Sequence, residues 1–408
     1  MMENKRKVPE IRFAGFEGEW SDGILTEVAK KRKILNSNMQ EHNLLSLSYG
    51  KIKRKDIRSN KGLLPSSFSS YQIIDKDTIV FRFTDLQNDQ KSLRVGLSYE
   101  KGIVSSAYVC VDPVKEIFMP KFLYWLLHYY DTQKVFYKMG DGIRQTITYD
   151  DLREMALIFP SKEEQILTAN AINHIDDKIA KQELYCRKLR NLKTALLTSL
   201  FPQGKETKPR VRVDGFNGEW GLHSLSEFAF RITRKNCNLE SDNVMTISAL
   251  YGLINQSEFY NKRIASSDLS GYYLMQKGEF AYNKSYSADY PWGAVKRLDR
   301  YSEGVVSNLY IIFGIENIDS DFIVCYFMSN LWHKAVSLCA KEGARNHGLL
   351  NISADDFLNI PILIPSIIEE QKAIANIIME YDHLIQLNEQ KLEKLRNLKQ
   401  AMLDKMFV

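Results

Sequence analysis

Apolar positions along this chain follow two periods. Over residues 161–201, Ile172, Ile175, Ile179, Gln182, Cys186, Leu189, Lys193, Leu196 and Leu200 fall on one seam with alternating steps of three and four. Residues 366–408 repeat the pattern with Ile378, Tyr381, Ile385, Asn388, Leu392, Leu395, Lys399, Met402 and Met406. A 3.5-residue repeat held for about five heptads predicts coiled-coil packing. Each run continues for about 36 residues without Gly or Pro, longer than most globular helices. Polar seam residues recur at matching places, Gln182 with Asn388 and Lys193 with Lys399, and such residues can fix register and partner. A seam lysine can also snorkel or face a partner's carboxylate.

Outside these runs the apolar segments are short, rich in β-branched and aromatic residues, and bounded by Gly, Asp, Asn and Ser, which predicts strands and turns. Helical spacing of aromatics and leucines appears over 122–137 and 322–339. These segments also repeat. Ile11 to Trp20 returns as Val211 to Trp220, and Lys188-Leu189-Arg190-Asn191-Leu192-Lys193 returns unchanged as residues 394–399. The chain is therefore a tandem duplication. The expected organisation is a globule over 1–160, a long helix over 161–201, a linker over 202–209, a second globule over 210–365 and a second long helix over 366–408. The expected fold class is α+β: two similar α/β globules separated by two long antiparallel coiled-coil helices, with pseudo-twofold symmetry. A helix of about 36 residues spans about 54 Å, so two such helices would act as a caliper between the globules.

Hydrophobic residues make up 44% of the 408 residues, enough for a core in each half. The net charge of +5 is compatible with nucleic acid without requiring it. The five cysteines are scattered and lack metal-ligand spacing, which predicts a reduced, cytoplasmic setting. No apolar run suits a signal peptide or a membrane span.

No dinucleotide fingerprint, P-loop, amino-methyltransferase string or Ser/His/Asp arrangement is found. Glu206-Thr207-Lys208 has a nuclease-like form but lies in the linker with no aspartate on a preceding strand. No residue is assigned as catalytic or as a metal ligand. Basic residues cluster instead. In the first half Lys31, Arg32, Lys51, Lys53 and Arg54 are candidates for DNA contact, and in the second Arg234, Lys235, Lys262, Arg263 and Lys284. Each half also carries a Gly-x-Arg before its last strand: Arg144 with Gln145 and Thr146, and Arg345 with Asn346. Arginine beside Gln or Asn suits base edges, whereas lysine mainly holds phosphate. The scaffold segments match closely while the central stretches match only in apolar pattern, as two readers of different sequences would require.

On these features, the doubled opening motif, the Pro to Glu-Gln segments (Pro160 to Gln165, Pro365 to Gln371) and the doubled helix string, the chain resembles the specificity subunit of type I restriction-modification enzymes. The resemblance covers essentially the whole chain. It implies two target-recognition domains, each reading half of a bipartite double-stranded DNA site. It implies that the helices set the spacer and dock two methyltransferase subunits, with restriction subunits joining through those. Leu189, Arg190, Leu192, Leu395, Arg396 and Leu398 are the candidate docking positions. S-adenosylmethionine, Mg and ATP would belong to the partner subunits, and this chain is expected to hold no cofactor. The competing readings are a single-chain methyltransferase or nuclease, and a coiled-coil scaffold that does not bind DNA. Arg144→Ala is expected to relax one half of the site only, by about 1–3 kcal/mol, as measured by binding to single-base variants of the target. Equal weakening on every sequence would mark a phosphate contact.

Overall fold

The computed structural model describes residues 7–56, 64–84, 93–139, 147–248, 252–260, 268–286, 290–340 and 349–408. Two compact units emerge, one from residues 1–183 with 390–408 and one from residues 184–389. Both long helices are continuous, Lys162–Ser199 and Ile368–Met406, and the division into units cuts each of them. The linker 202–209 lies inside the second unit.

The first unit holds a four-stranded antiparallel sheet in the order Ala29–Arg32, Val109–Pro113, Ile79–Phe81, Val95–Leu97. Three two-stranded pairs accompany it: Ser21–Ile24 with Ala156–Phe159, Leu45–Ser48 with Lys51–Arg54, and Gln72–Ile74 with Gly102–Val104. The second unit repeats every one of these pairings. Its sheet runs Ala229–Ile232, Ile311–Ile315, Phe280–Asn283, Ala294–Arg297. All pairings between named strands are antiparallel, which places the fold in the α+β class.

The central strand explains why the apolar runs are continuous rather than alternating. Ile79 and Phe81 point into a cluster with the helix Pro120–Thr132, whereas Val80 points into a second cluster with Leu45, Ile74 and Val104. In the second unit Phe280 and Tyr282 face one cluster and Ala281 another. A sheet covered on both faces needs apolar side chains in both directions.

The opening motif is built around two glycines in left-handed backbone. Gly15 and Gly18 have φ of +91° and +78°, and Gly215 and Gly218 both have +91°. Such angles cost a side-chain-bearing residue free energy that glycine avoids. The turn lets Arg12 bond the Gly18 carbonyl at 2.6 Å and clamp both oxygens of Glu164 at 2.7 and 2.8 Å. Arg212 bonds the Gly218 carbonyl and clamps Glu370 at 2.9 Å through two nitrogens. Both glutamates are buried, in the first turn of each long helix. Their neighbours Gln165 and Gln371 accept from the backbone of Met119 and Asp319 and donate to the carbonyls of Pro160 and Pro365.

The same motif also holds a helix end. The Ile11 amide donates to the Lys405 carbonyl at 2.9 Å, and the Val211 amide to the Ser199 carbonyl at 3.0 Å. These bonds satisfy carbonyls that a helix C-terminus leaves open. Beneath them Trp20 packs edge-on against Phe122 and Phe407, and Trp220 against Phe322 and Phe201. Burying each of these phenylalanines contributes about 1.5–3 kcal/mol.

Removing one partner of a buried ion pair strands the other charge. Arg12→Leu is therefore expected to lower the stability of the chain by about 3–5 kcal/mol in denaturant unfolding. Adding Glu164→Leu to it should recover much of that loss. A single substitution costing no more than the double one would show that Glu164 does not depend on Arg12.

Candidate nucleic-acid interface and helix pair

The candidate DNA-contacting residues of the sequence fall into three groups. Arg144, Gln145, Thr146, Lys262, Arg263, Arg345 and Asn346 lie outside the described residues. Lys51 and Lys53 are exposed on strand Lys51–Arg54, where alternation puts both on one face while the intervening Ile52 packs against a core cluster. Lys31 is also exposed, with its ammonium 4.8 Å from the centre of the Tyr149 ring.

The remaining candidates are engaged within the fold. Arg32, with its side chain only 10% exposed, donates to the Ile73 carbonyl at 2.8 Å and to Asp112 and Asp75. A buried guanidinium with three acceptors is a clasp between strands, which corrects its assignment to DNA: a base could reach it only by breaking these bonds. Arg54 is paired with Glu100 at the surface. Arg234 bonds the Leu274 carbonyl and both oxygens of Glu279. Lys235 lies 3.6 Å from the Tyr273 ring centre and donates to the Gly271 carbonyl, and Lys284 reaches the Ile352 carbonyl at 3.4 Å. Burial holds the Lys284 ammonium below the usual lysine range.

The helix seam follows the 3.5-residue register. Ile172, Ile179, Gln182, Cys186, Leu189 and Leu200 are buried, as are Ile378, Ile385, Leu392 and Met406. Leu395 is half-buried, whereas Leu192 and Leu398 stand exposed at 43% and 48%. Within the first unit the two helix segments run antiparallel: Lys399 bonds Asp176, and Arg396 bonds Glu183 at 2.8 Å. Within the second unit Lys193 bonds Asp382, and the Arg190 Nε bonds Glu389 at 2.9 Å. The two sets are equivalent under the duplication. The polar seam lysines thus have carboxylate partners one residue off the seam on the facing helix. Arg190 and Arg396, expected to be free for a partner, are tied into these pairs, although about half of each side chain remains exposed.

These acceptors stand outside the candidate residues of the sequence. Asp176 with Asp382, Glu183 with Glu389, and Glu164 with Glu370 each recur at the same interval as the doubled helix string, and that recurrence was the available signal. Among the described residues no group of His, Cys, Asp and Glu could hold a metal ion, and no helix is long and apolar enough to cross a membrane.

Comparison with known proteins agrees with this architecture. Residues 299–397 match the family model for the type I restriction modification DNA specificity domain. The chain is similar to the type I restriction enzyme HindI specificity subunit of Haemophilus influenzae, 29% identical over 102 residues. That match spans 24% of this chain and 22% of the relative. The type I restriction-modification S subunit of M. genitalium has a similar fold, with a TM-score of 0.60 at 16% identity over 98% of this chain and 99% of that one. The HsdS subunit of Thermoanaerobacter tengcongensis aligns with a TM-score of 0.42 at 15% identity, over 100% of this chain and 99% of that one.

The two kinds of helix pair should differ in strength. A double-mutant cycle on Lys193 and Asp382, whose side chains are 17% and 27% exposed, is expected to give a coupling of about 1–3 kcal/mol in thermal unfolding. The cycle on the more exposed Arg190 and Glu389 should give less than about 1 kcal/mol. A larger coupling for the exposed pair would contradict this ranking.

Proposed function

We propose that this chain, a member of the type I restriction-modification specificity family, recognises a bipartite DNA target, each unit reading one half. The two long helices set the distance between the halves. They also dock methyltransferase subunits, through which restriction subunits join. The chain itself supplies specificity and no chemistry, and S-adenosylmethionine, Mg and ATP are left to the partners.

One observation carries this reading: the two units share a scaffold and differ in the surface it presents. The helix ion pairs, the Arg–Glu clamp and the tryptophan over a helix-end phenylalanine occur in both. The hairpin strand Lys51–Arg54 reads Lys-Ile-Lys-Arg, while its counterpart Gly252–Asn255 reads Gly-Leu-Ile-Asn, without a charge. Conserved supports beneath divergent hairpins suit two readers of unlike half-sites. Lys51 and Lys53 would hold phosphate in the first unit, a contact that positions the protein without reading sequence. Exposed Leu192 and Leu398, at equivalent places in the repeated string, suit equivalent contacts with two copies of one partner.

The helices provide the test. A heptad inserted after Glu183 and another after Glu389 leaves the ion pairs of each unit intact and adds about 10 Å of helix. At roughly 3.4 Å per base pair, methylome sequencing of a host expressing the variant with its methyltransferase should show a spacer about three base pairs longer, with both half-sites unchanged. Altered half-sites with an unchanged spacer would overturn the assignment of spacing to the helices. Methylation or cleavage by the purified chain alone would overturn its non-catalytic role.

A further inference from the structure

The two units hold the same lysine–aspartate pair in different surroundings. In the first, the Lys399 ammonium bonds Asp176 and lies 4.5 Å from the ring centre of the buried Trp125. In the second, Lys193 bonds Asp382. Phe122 and Phe322 are equivalent through their shared packing on Trp20 and Trp220, so the counterpart of Trp125 is Cys325. Cys325 is fully buried, with its thiol directed at the Ala375 carbonyl, and a cavity of about 370 Å³ lined by both Lys193 and Asp382 opens in this unit.

The charges around this cavity do not cancel. Arg190 is matched by Glu389 and Lys193 by Asp382, and burial holds the His333 imidazole below its ordinary value, so that it is neutral near pH 7. The remaining charged residue of the lining, Lys296, is half-buried and has no hydrogen-bonded or ion-paired acceptor among the described residues. Its counterpart in the first unit is Gly96, since Val80 pairs with Gly96 where Ala281 pairs with Lys296. Among the described residues of the lining the excess is therefore one positive charge, carried at a position where the first unit has a glycine. Lys296 feels the attraction of Asp382, but that carboxylate is already bonded to Lys193, and a partly desolvated ammonium without a counter-ion of its own favours capture of an anion.

We propose that this cavity binds a single phosphodiester group, with Lys296 as its counter-charge and Asn330 and His333 of the same lining as neutral donors. A phosphodiester carries one negative charge, which matches the excess. The volume is about ten times the share of one water in the liquid, so it admits a sugar or base attached to the phosphate as well as the oxyanion. Burial and the adjacent Lys193 hold the Lys296 ammonium below the usual lysine range against the attraction of Asp382, so an arriving anion should shift it upward.

The probe is the thymidine dinucleotide TpT, titrated by calorimetry into the full-length chain together with any subunits that co-purify. One saturable site is expected, weakened about tenfold or more by Lys296→Met and kept by Lys296→Arg, with both variants melting at the wild-type temperature. NMR of selectively labelled lysines in the unsubstituted chain gives a second readout, in which the Lys296 resonance should move on titration even where the methionine variant fails to fold. Competition by target duplex would assign the phosphodiester to the DNA backbone, and lack of competition to a separate small nucleotide; both support the site. No saturable binding, equal binding by Lys296→Met, or binding of inorganic phosphate in preference to TpT would overturn it.

Discussion

The arrangement depends on a buried carboxylate at the start of each long helix. Glu164 accepts two bonds from Arg12, and Glu370 two from Arg212 and one from the Trp220 indole at 3.3 Å. An ionised glutamate at this depth is tolerable only when such donors replace its water. The arginine that supplies them is held by a turn of two left-handed glycines, and that turn also delivers a backbone amide to a helix C-terminus. One ten-residue motif thereby fixes where a helix begins and where a helix segment ends. The adjacent glutamines add the aromatic helix to the same junction. Breaking such a buried pair leaves an uncompensated charge, so the pair ties the turn and the helix start to one geometry.

On that common junction the two units diverge where side chains face outward or line cavities. A basic hairpin strand in one becomes an uncharged one in the other. An indole that covers the seam lysine in one becomes a buried thiol in the other. His128, beside the covered lysine, is driven by burial to a pKa of about 3 and is neutral throughout the physiological range. In the second unit Lys296 has no bonded acceptor among the described residues and shares Asp382 with Lys193. The two units share the parts that bear on backbone geometry and differ in outward-facing and cavity-lining side chains.

The helices were the most legible part of the sequence. Their seam is a local property, since a 3.5-residue repeat places Ile172 and Leu189 on one stripe whatever the rest of the chain does. The strands were legible as apolar runs, and the duplication guaranteed that each would be found twice. The basic residues were far less so. Arg32 looked like its neighbour Lys31, yet one is a strand clasp and the other is exposed.

The sequence by itself thus determined the duplication, the two long helices with their register, and the α+β class, because these rest on spacings within a few turns or strands. Only the tertiary structure decided which charges are free. Arg32 finds Asp112 across 80 residues because strand Ala29–Arg32 lies against Val109–Pro113, and Arg234 finds Glu279 across 45. Lys193 finds Asp382 across 189. Charge neutralisation is a matter of a few ångströms in space, and those distances exist only once strand order and helix pairing are in place.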